Sequence, residues 1–134
     1  EVSKDEAEEV EKDVIEIVFF IGKDEKDDMI VAENEEDFKD KNIKDIQQHK
    51  VTFRKPSYID NVEILSLTLK TKGDEVQLDP ALLRYERFCV LAKEWTLVDE
   101  EGKTMEINRE NINRLQPDIA NLINNKLEAV VGSL

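Results

Sequence analysis

Val14-Ile15-Glu16-Ile17-Val18-Phe19-Phe20-Ile21 decides the fold. Seven of its eight residues are apolar, and most are β-branched or aromatic. The run is too short for an ordinary lone helix and fits a strand buried on one or both faces. Gly22 and the charged run Lys23–Asp28 end it as a solvated turn. Met29-Ile30-Val31-Ala32 follows as a second short strand, so the pair predicts a hairpin.

Outward from this hairpin the chain changes character. Glu33 to Lys50 is mostly polar, with Phe38, Ile43 and Ile46 as its large anchors, and reads as a loop with one or two helical turns. Val51-Thr52-Phe53-Arg54-Lys55 alternates like a half-buried strand, and Pro56 stops it. Ser57 with Asp60 three residues on is a capping-box variant. Ile59, Val62, Leu65 and Leu69, with Ile64, recur at helical spacing, so a helix is expected over Tyr58–Lys72, closed by Gly73. Asp79-Pro80 is the clearest helix start in the chain. That helix should run to about Glu94 or Trp95 along a stripe holding Leu82, Tyr85, Phe88 and Cys89. Asp99-Glu100-Glu101-Gly102-Lys103 is a turn. Thr104–Ile107 is extended. Asn108 caps a helix anchored by Ile112 and Leu115, and Gln116-Pro117-Asp118 restarts it to Gly132.

These elements predict an α+β fold: a small antiparallel sheet from the N-terminal half packed against three or four helices from the C-terminal half. Residues 1–13 form an acidic arm and 14–134 a single domain. The expected core is Ile15, Ile17, Phe19, Ile30, Phe53, Val62, Leu65, Leu82, Tyr85, Phe88, Cys89, Trp95, Ile112, Leu115, Leu122 and Ile123.

Composition narrows the function classes. The 134 residues carry 32 Asp and Glu against 19 Lys and Arg, a formal charge of −13. General affinity for nucleic acid or anionic lipid draws on clustered cations, which this balance opposes. One Cys cannot form an internal disulfide, and one Cys with one His cannot make a Cys/His zinc site. No apolar run approaches the ~20 residues of a membrane span. The acidic start EVSKDEAEEVEKD is unlike a signal peptide. A soluble, acidic, intracellular protein is expected.

No catalytic constellation stands out. His49 lies in a polar stretch and reads as a surface residue; its alternative is a general base. Cys89 reads as a small buried hydrophobe rather than a nucleophile. Ser57 and Ser66 have no local motif around them. Asp24, Asp27 and Asp28 lack the spacing of a calcium loop and read as a hydrated turn. Neither GxGxxG nor GxxxxGK[ST] is present. No catalytic, cofactor or metal residues are assigned. The interface candidates are Arg54, Tyr58, Arg87, Trp95, Ile119 and Leu127. Trp and Tyr are favoured hot-spot types wherever they are partly exposed.

One resemblance adds to this. Tyr85-Glu86-Arg87-Phe88-Cys89-Val90-Leu91-Ala92-Lys93-Glu94-Trp95-Thr96-Leu97 is a helix running into a tryptophan segment. Asp99–Lys103 is an acidic-glycine turn, and Ile107–Leu115 an Asn-capped helix. With Val51–Pro56 upstream, the stretch from Val51 to Val131 resembles the tail assembly chaperones of tailed bacteriophages. The acidic first half departs from that pattern. A baseplate, tail or head–tail virion component of similar build is equally implied. The resemblance implies a non-enzymatic role in the host cytoplasm or the virion. Tail tube, tape-measure or baseplate subunits would be the partners, without nucleic acid or membrane, and self-association is left open. An acidic mimic of nucleic acid, blocking a DNA- or RNA-binding enzyme, is the alternative.

Overall fold

The computed structural model describes residues 13–132; the acidic arm, apart from Asp13, lies outside the described residues. Strands β1 (Val14–Lys23), β2 (Met29–Ala32), β3 (Lys44–Arg54) and β6 (Ala92–Trp95) form an antiparallel sheet in the order β2-β1-β3-β6. Strands β4 (Leu69–Lys72) and β5 (Glu75–Leu78) form a separate two-stranded ribbon. The helices are α1 (Tyr58–Thr68), α2 (Pro80–Leu91), α3 (Arg109–Asn113) and α4 (Pro117–Val131). The fold is therefore α+β, as expected. No described helix is long and apolar enough to cross a membrane.

The strand period of two sets the core. Ile15, Ile17 and Phe19 stand opposite Phe53, Val51 and His49 on one face. Helix α4 packs on β1 and α2 on β3. Their residues Ile119, Ile123, Leu127, Phe88 and Leu91 complete the cluster. Phe53 meets Phe88 edge-on with ring centres 5.1 Å apart, and Phe88 meets Trp95 at 6.5 Å. The Trp95 indole N–H donates to the Met105 carbonyl at 2.6 Å, which pins the loop after β6 over the ring.

Several boundaries move. β3 begins at Lys44, where a loop was expected, because Lys44–Gln48 joins β1 through backbone pairing while exposing its side chains. No apolar alternation marks a strand of that kind. Gly22 sits inside β1 at a register shift rather than ending the strand. A Cβ there would collide with the Ile43 side chain and crowd the Lys44 carbonyl at 3.3 Å.

α1 stops at Thr68 instead of Lys72. Leu69-Lys70-Thr71-Lys72 and Glu75-Val76-Gln77-Leu78 alternate as strands and pair, and Gly73, at φ 66°, makes their two-residue turn. α2 ends at Leu91. Ala92–Trp95 then pairs with β3 along Val51–Phe53, which satisfies that part of the sheet edge.

Of the expected core, Ile15, Ile17, Phe19, Phe53, Phe88, Trp95, Ile112 and Ile123 are buried. Ile30, Leu82, Tyr85, Cys89, Leu115 and Leu122 are half-buried. Val62 and Leu65 are exposed, at 42% and 36%.

Replacing Gly22 with Ala should destabilise the fold by about 1–2 kcal/mol through overpacking against Ile43. Urea unfolding at constant m-value measures it, and an unchanged midpoint would contradict the close packing.

Candidate interaction surface

Helix α1 is built from its cap inward. The Ser57 Oγ accepts the Asp60 N–H at 3.2 Å, and the Asp60 carboxylate accepts the Ser57 N–H at 3.0 Å. Arg54, the last residue of β3, grips the same carboxylate with both terminal nitrogens, at 2.9 and 3.2 Å. It also donates to the Val90 carbonyl on α2 at 2.9 Å. These donors hold the Asp60 carboxyl at about 2, below its usual 3.8; the Arg54 hydrogen bond is the largest cause and the Ser57 amide the next. The ion pair is well placed to orient the helix, because Asp60 is buried and needs its partners to stay there.

Asp60, Ile64 and Thr68 follow one another at every fourth position and form the buried face of α1. The opposite face is apolar as well. Tyr58, Ile59, Val62 and Leu65 spread over an arc of roughly 120° at 3.6 residues per turn. Their exposures reach 85% at Tyr58 and 67% at Ile59. Of the expected apolar positions Ile59, Val62, Leu65, Leu69 and Ile64, Ile64 is buried and the other four are exposed. Periodicity located an apolar face correctly. It could not show that a second face, with a charge at its N-terminal end, is the one that packs.

The ribbon continues the same character. Leu69 pairs with Leu78 and Thr71 with Val76, so all four side chains share one face of β4–β5. Leu69, Val76 and Leu78 are exposed. Eight of the twelve exposed large apolar side chains among the described residues lie between Tyr58 and Leu78. An exposed apolar concentration of this kind is a candidate contact surface.

The sequence-based interface candidates divide. Tyr58 lies on this surface, and Arg54 stands behind it as the anchor of α1. The other four are corrected to interior positions. Trp95, Ile119 and Leu127 belong to the core, and Arg87 is only 2% exposed. Ile119 and Leu127 fill the face of α4 that covers the sheet. Arg87 donates to the Gly132 carbonyl at 3.2 Å, while its Nε and Nη2 have no partner among the described residues. Burial pushes its guanidinium below the usual arginine value, against the opposing pull of Glu128. Its site at the carbonyl end of α4 is the end of a helix that favours a cation.

The remaining chemistry-bearing residues are dispersed. His49 is buried rather than on the surface, stacked on Phe19 with ring centres 5.9 Å apart. Its Nδ1 lies 3.2 Å from the Thr96 hydroxyl, which also accepts the Lys50 N–H. Burial lowers the imidazole below its usual 6.5, and the Thr96 contact opposes the shift. His49 lines neither of the two broad surface clefts. Burial also raises the Cys89 thiol, which disfavours the nucleophilic thiolate. Asp24 accepts the Lys26 and Asp28 amides within its own turn, and Asp27 pairs with Lys44 at 2.6 Å. Sequence reasoning gave no sign of the forked pair between Arg109 and the buried Glu86, at 3.1 and 2.8 Å. Those residues are far apart in the chain.

Compared with known proteins, the chain matches no family model, no characterised protein and no solved structure.

Two pH dependences follow. Asp60 has a depressed value in the fold, so its stabilisation is complete above about 3.8 and is lost as pH falls through about 2. Arg54→Gln should move the Asp60 titration, followed by carboxyl NMR, up towards 3.8 and cost about 1–3 kcal/mol at neutral pH. His49 is also depressed, but as a base: the unfolded chain takes up its proton first. Stability should therefore fall as pH drops below 6.5 and level off below the lower folded value. His49→Phe should flatten that limb in urea titrations, and an unaltered limb would refute the assignment.

Proposed function

We propose that this chain is a non-enzymatic binding protein that shields apolar surface of another polypeptide against α1 and the β4–β5 ribbon. The observation that carries this reading is the concentration of exposed large apolar side chains between Tyr58 and Leu78, in a chain of net charge −13. Burying such side chains against a partner is worth roughly 25 cal/mol per Å² of apolar area before the cost of association. The negative coat keeps the free protein soluble while the patch is open.

The tail-chaperone resemblance gives the reading a context. A chaperone of that kind holds tape-measure, tail tube or baseplate subunits until assembly, and its work is done in the host cytoplasm or on the virion. It needs surface complementarity and no bond-making centre. The buried His49 and the half-buried, protonated Cys89 agree with such a role. The mimic alternative needs carboxylates in rows on a rigid face. Asp24 and Asp27 are instead spent on local turn and ion-pair contacts.

The test is capture from cells co-expressing tail proteins, with mass spectrometry of what is retained. Ile59→Asp with Val62→Lys should leave stability within about 0.5 kcal/mol, since both side chains face solvent. It should weaken capture of tail subunits about 30-fold or more, the scale of a lost hot spot. Full retention by the double variant would refute the surface. Recovery of a nuclease or polymerase instead of tail subunits would replace the reading with the mimic.

A further inference from the structure

β1 is longer than its neighbour. β2 pairs with it only from Phe20 to Lys23. After Ala32 the chain turns into a 3₁₀ turn, Glu35–Phe38. Among the described residues no strand lies beside Val14–Phe19 on that side.

The ladder shows which backbone groups face the gap. Lys50 donates its N–H to the Thr96 hydroxyl at 2.9 Å, and its carbonyl accepts the Thr96 N–H at 3.0 Å. Its peptide groups therefore point towards β6 and away from β1. Val18 stands opposite Lys50. Antiparallel partners that do not exchange hydrogen bonds turn their groups outward. Val18, and at the two-residue repeat Glu16 and Val14, thus present N–H and C=O to the open side. One of these groups is already engaged: Lys126 of α4 donates its ammonium to the Val18 carbonyl at 2.7 Å. It sits where the N–H of a further strand would bind.

We propose that the Val14–Phe19 edge of β1 is a strand-addition site for an extended, basic, alternately apolar segment of a partner polypeptide, with Lys126 as its displaceable guard. Main-chain pairing supplies the contact, as in other sheet-edge recognition. Charge selects the occupant. An added strand would continue the line of β2, and the residues that follow Ala32 include exposed Glu33, Glu35, Glu36 and Asp37. Glu16 is exposed on the strand itself and meets Lys50 only loosely, at 3.5 Å. A second copy of this chain would bring the same negative charges to the same place. A lysine at an open edge is a known means of preventing such self-pairing.

The test is amide hydrogen exchange of the isotopically labelled full chain with a blocked peptide of about nine residues, long enough for one strand, alternating Lys with Val and Thr. The Glu16 and Val18 amides should slow about tenfold or more when the peptide is present, and Lys126→Met should tighten binding about tenfold by removing a like charge and freeing the carbonyl. The same peptide with Glu for Lys should give no slowing. Four outcomes would overturn the proposal. The first two are unchanged exchange with the Lys peptide and equal slowing by the Lys and Glu peptides. Glu16 and Val18 could already exchange as slowly in the free protein as Ile17, which would mean the edge is covered. Lys126→Met could instead produce a dimer, which would make a second copy the occupant.

Discussion

The fork from Arg54 to Asp60 is the constraint on which the exposed surface depends. One guanidinium joins the end of β3, the first turn of α1 and the last turn of α2. α1 has two candidate faces for the interior, and the outer one is the more apolar. A hydrophobic count alone would turn Val62 and Leu65 inward. The buried carboxylate prevents that, because rolling the helix would strand Arg54 and expose the cap. An ion pair in such a position contributes modestly to net stability, since desolvation offsets its attraction. Its larger effect here is on which side of the helix faces water.

Much of the fold could be read from the sequence where one physical signal acted alone. β1 is apolar enough to be a strand in any context. Ser57 and Asp79 cap helices because their side chains satisfy orphan N–H groups within three residues, a purely local event. Errors arose where tertiary pairing outweighed local pattern. Lys44–Gln48 is a strand because β1 offers a ladder to it. Ala92–Trp95 leaves the helical course because β3 has a free edge. Leu69–Lys72 pairs with a segment that lies beyond a glycine. The candidate interaction surface was the least legible part. Of six candidates, only Tyr58 and Arg54 are exposed, and four are interior, since a sequence shows that Trp95, Ile119 and Leu127 are apolar without showing what covers them.

Buried charge recurs beyond α1. Arg87 is enclosed near the carbonyl end of α4, and Glu86 beside it is gripped by Arg109, whose guanidinium also lies 5.6 Å from the centre of the Tyr85 ring. α2 therefore contributes both apolar and ionic contacts. Ionic contacts demand particular partners at particular distances, whereas aliphatic ones tolerate many arrangements. α2 is consequently fixed in rotation as well as in position, and α1 is packed directly on it.

The seating of Trp95 has a practical side. The chain holds a single tryptophan, lodged at the seam where β6, the aromatic cluster and the returning loop at Met105 meet. Its fluorescence arises from one emitter in one environment, with no second indole to blur it. Lifting of that loop or loosening of the sheet would expose the ring to water and shift its colour towards the red. The molecule thus contains an intrinsic optical gauge of its own closure, readable in dilute solution without a label.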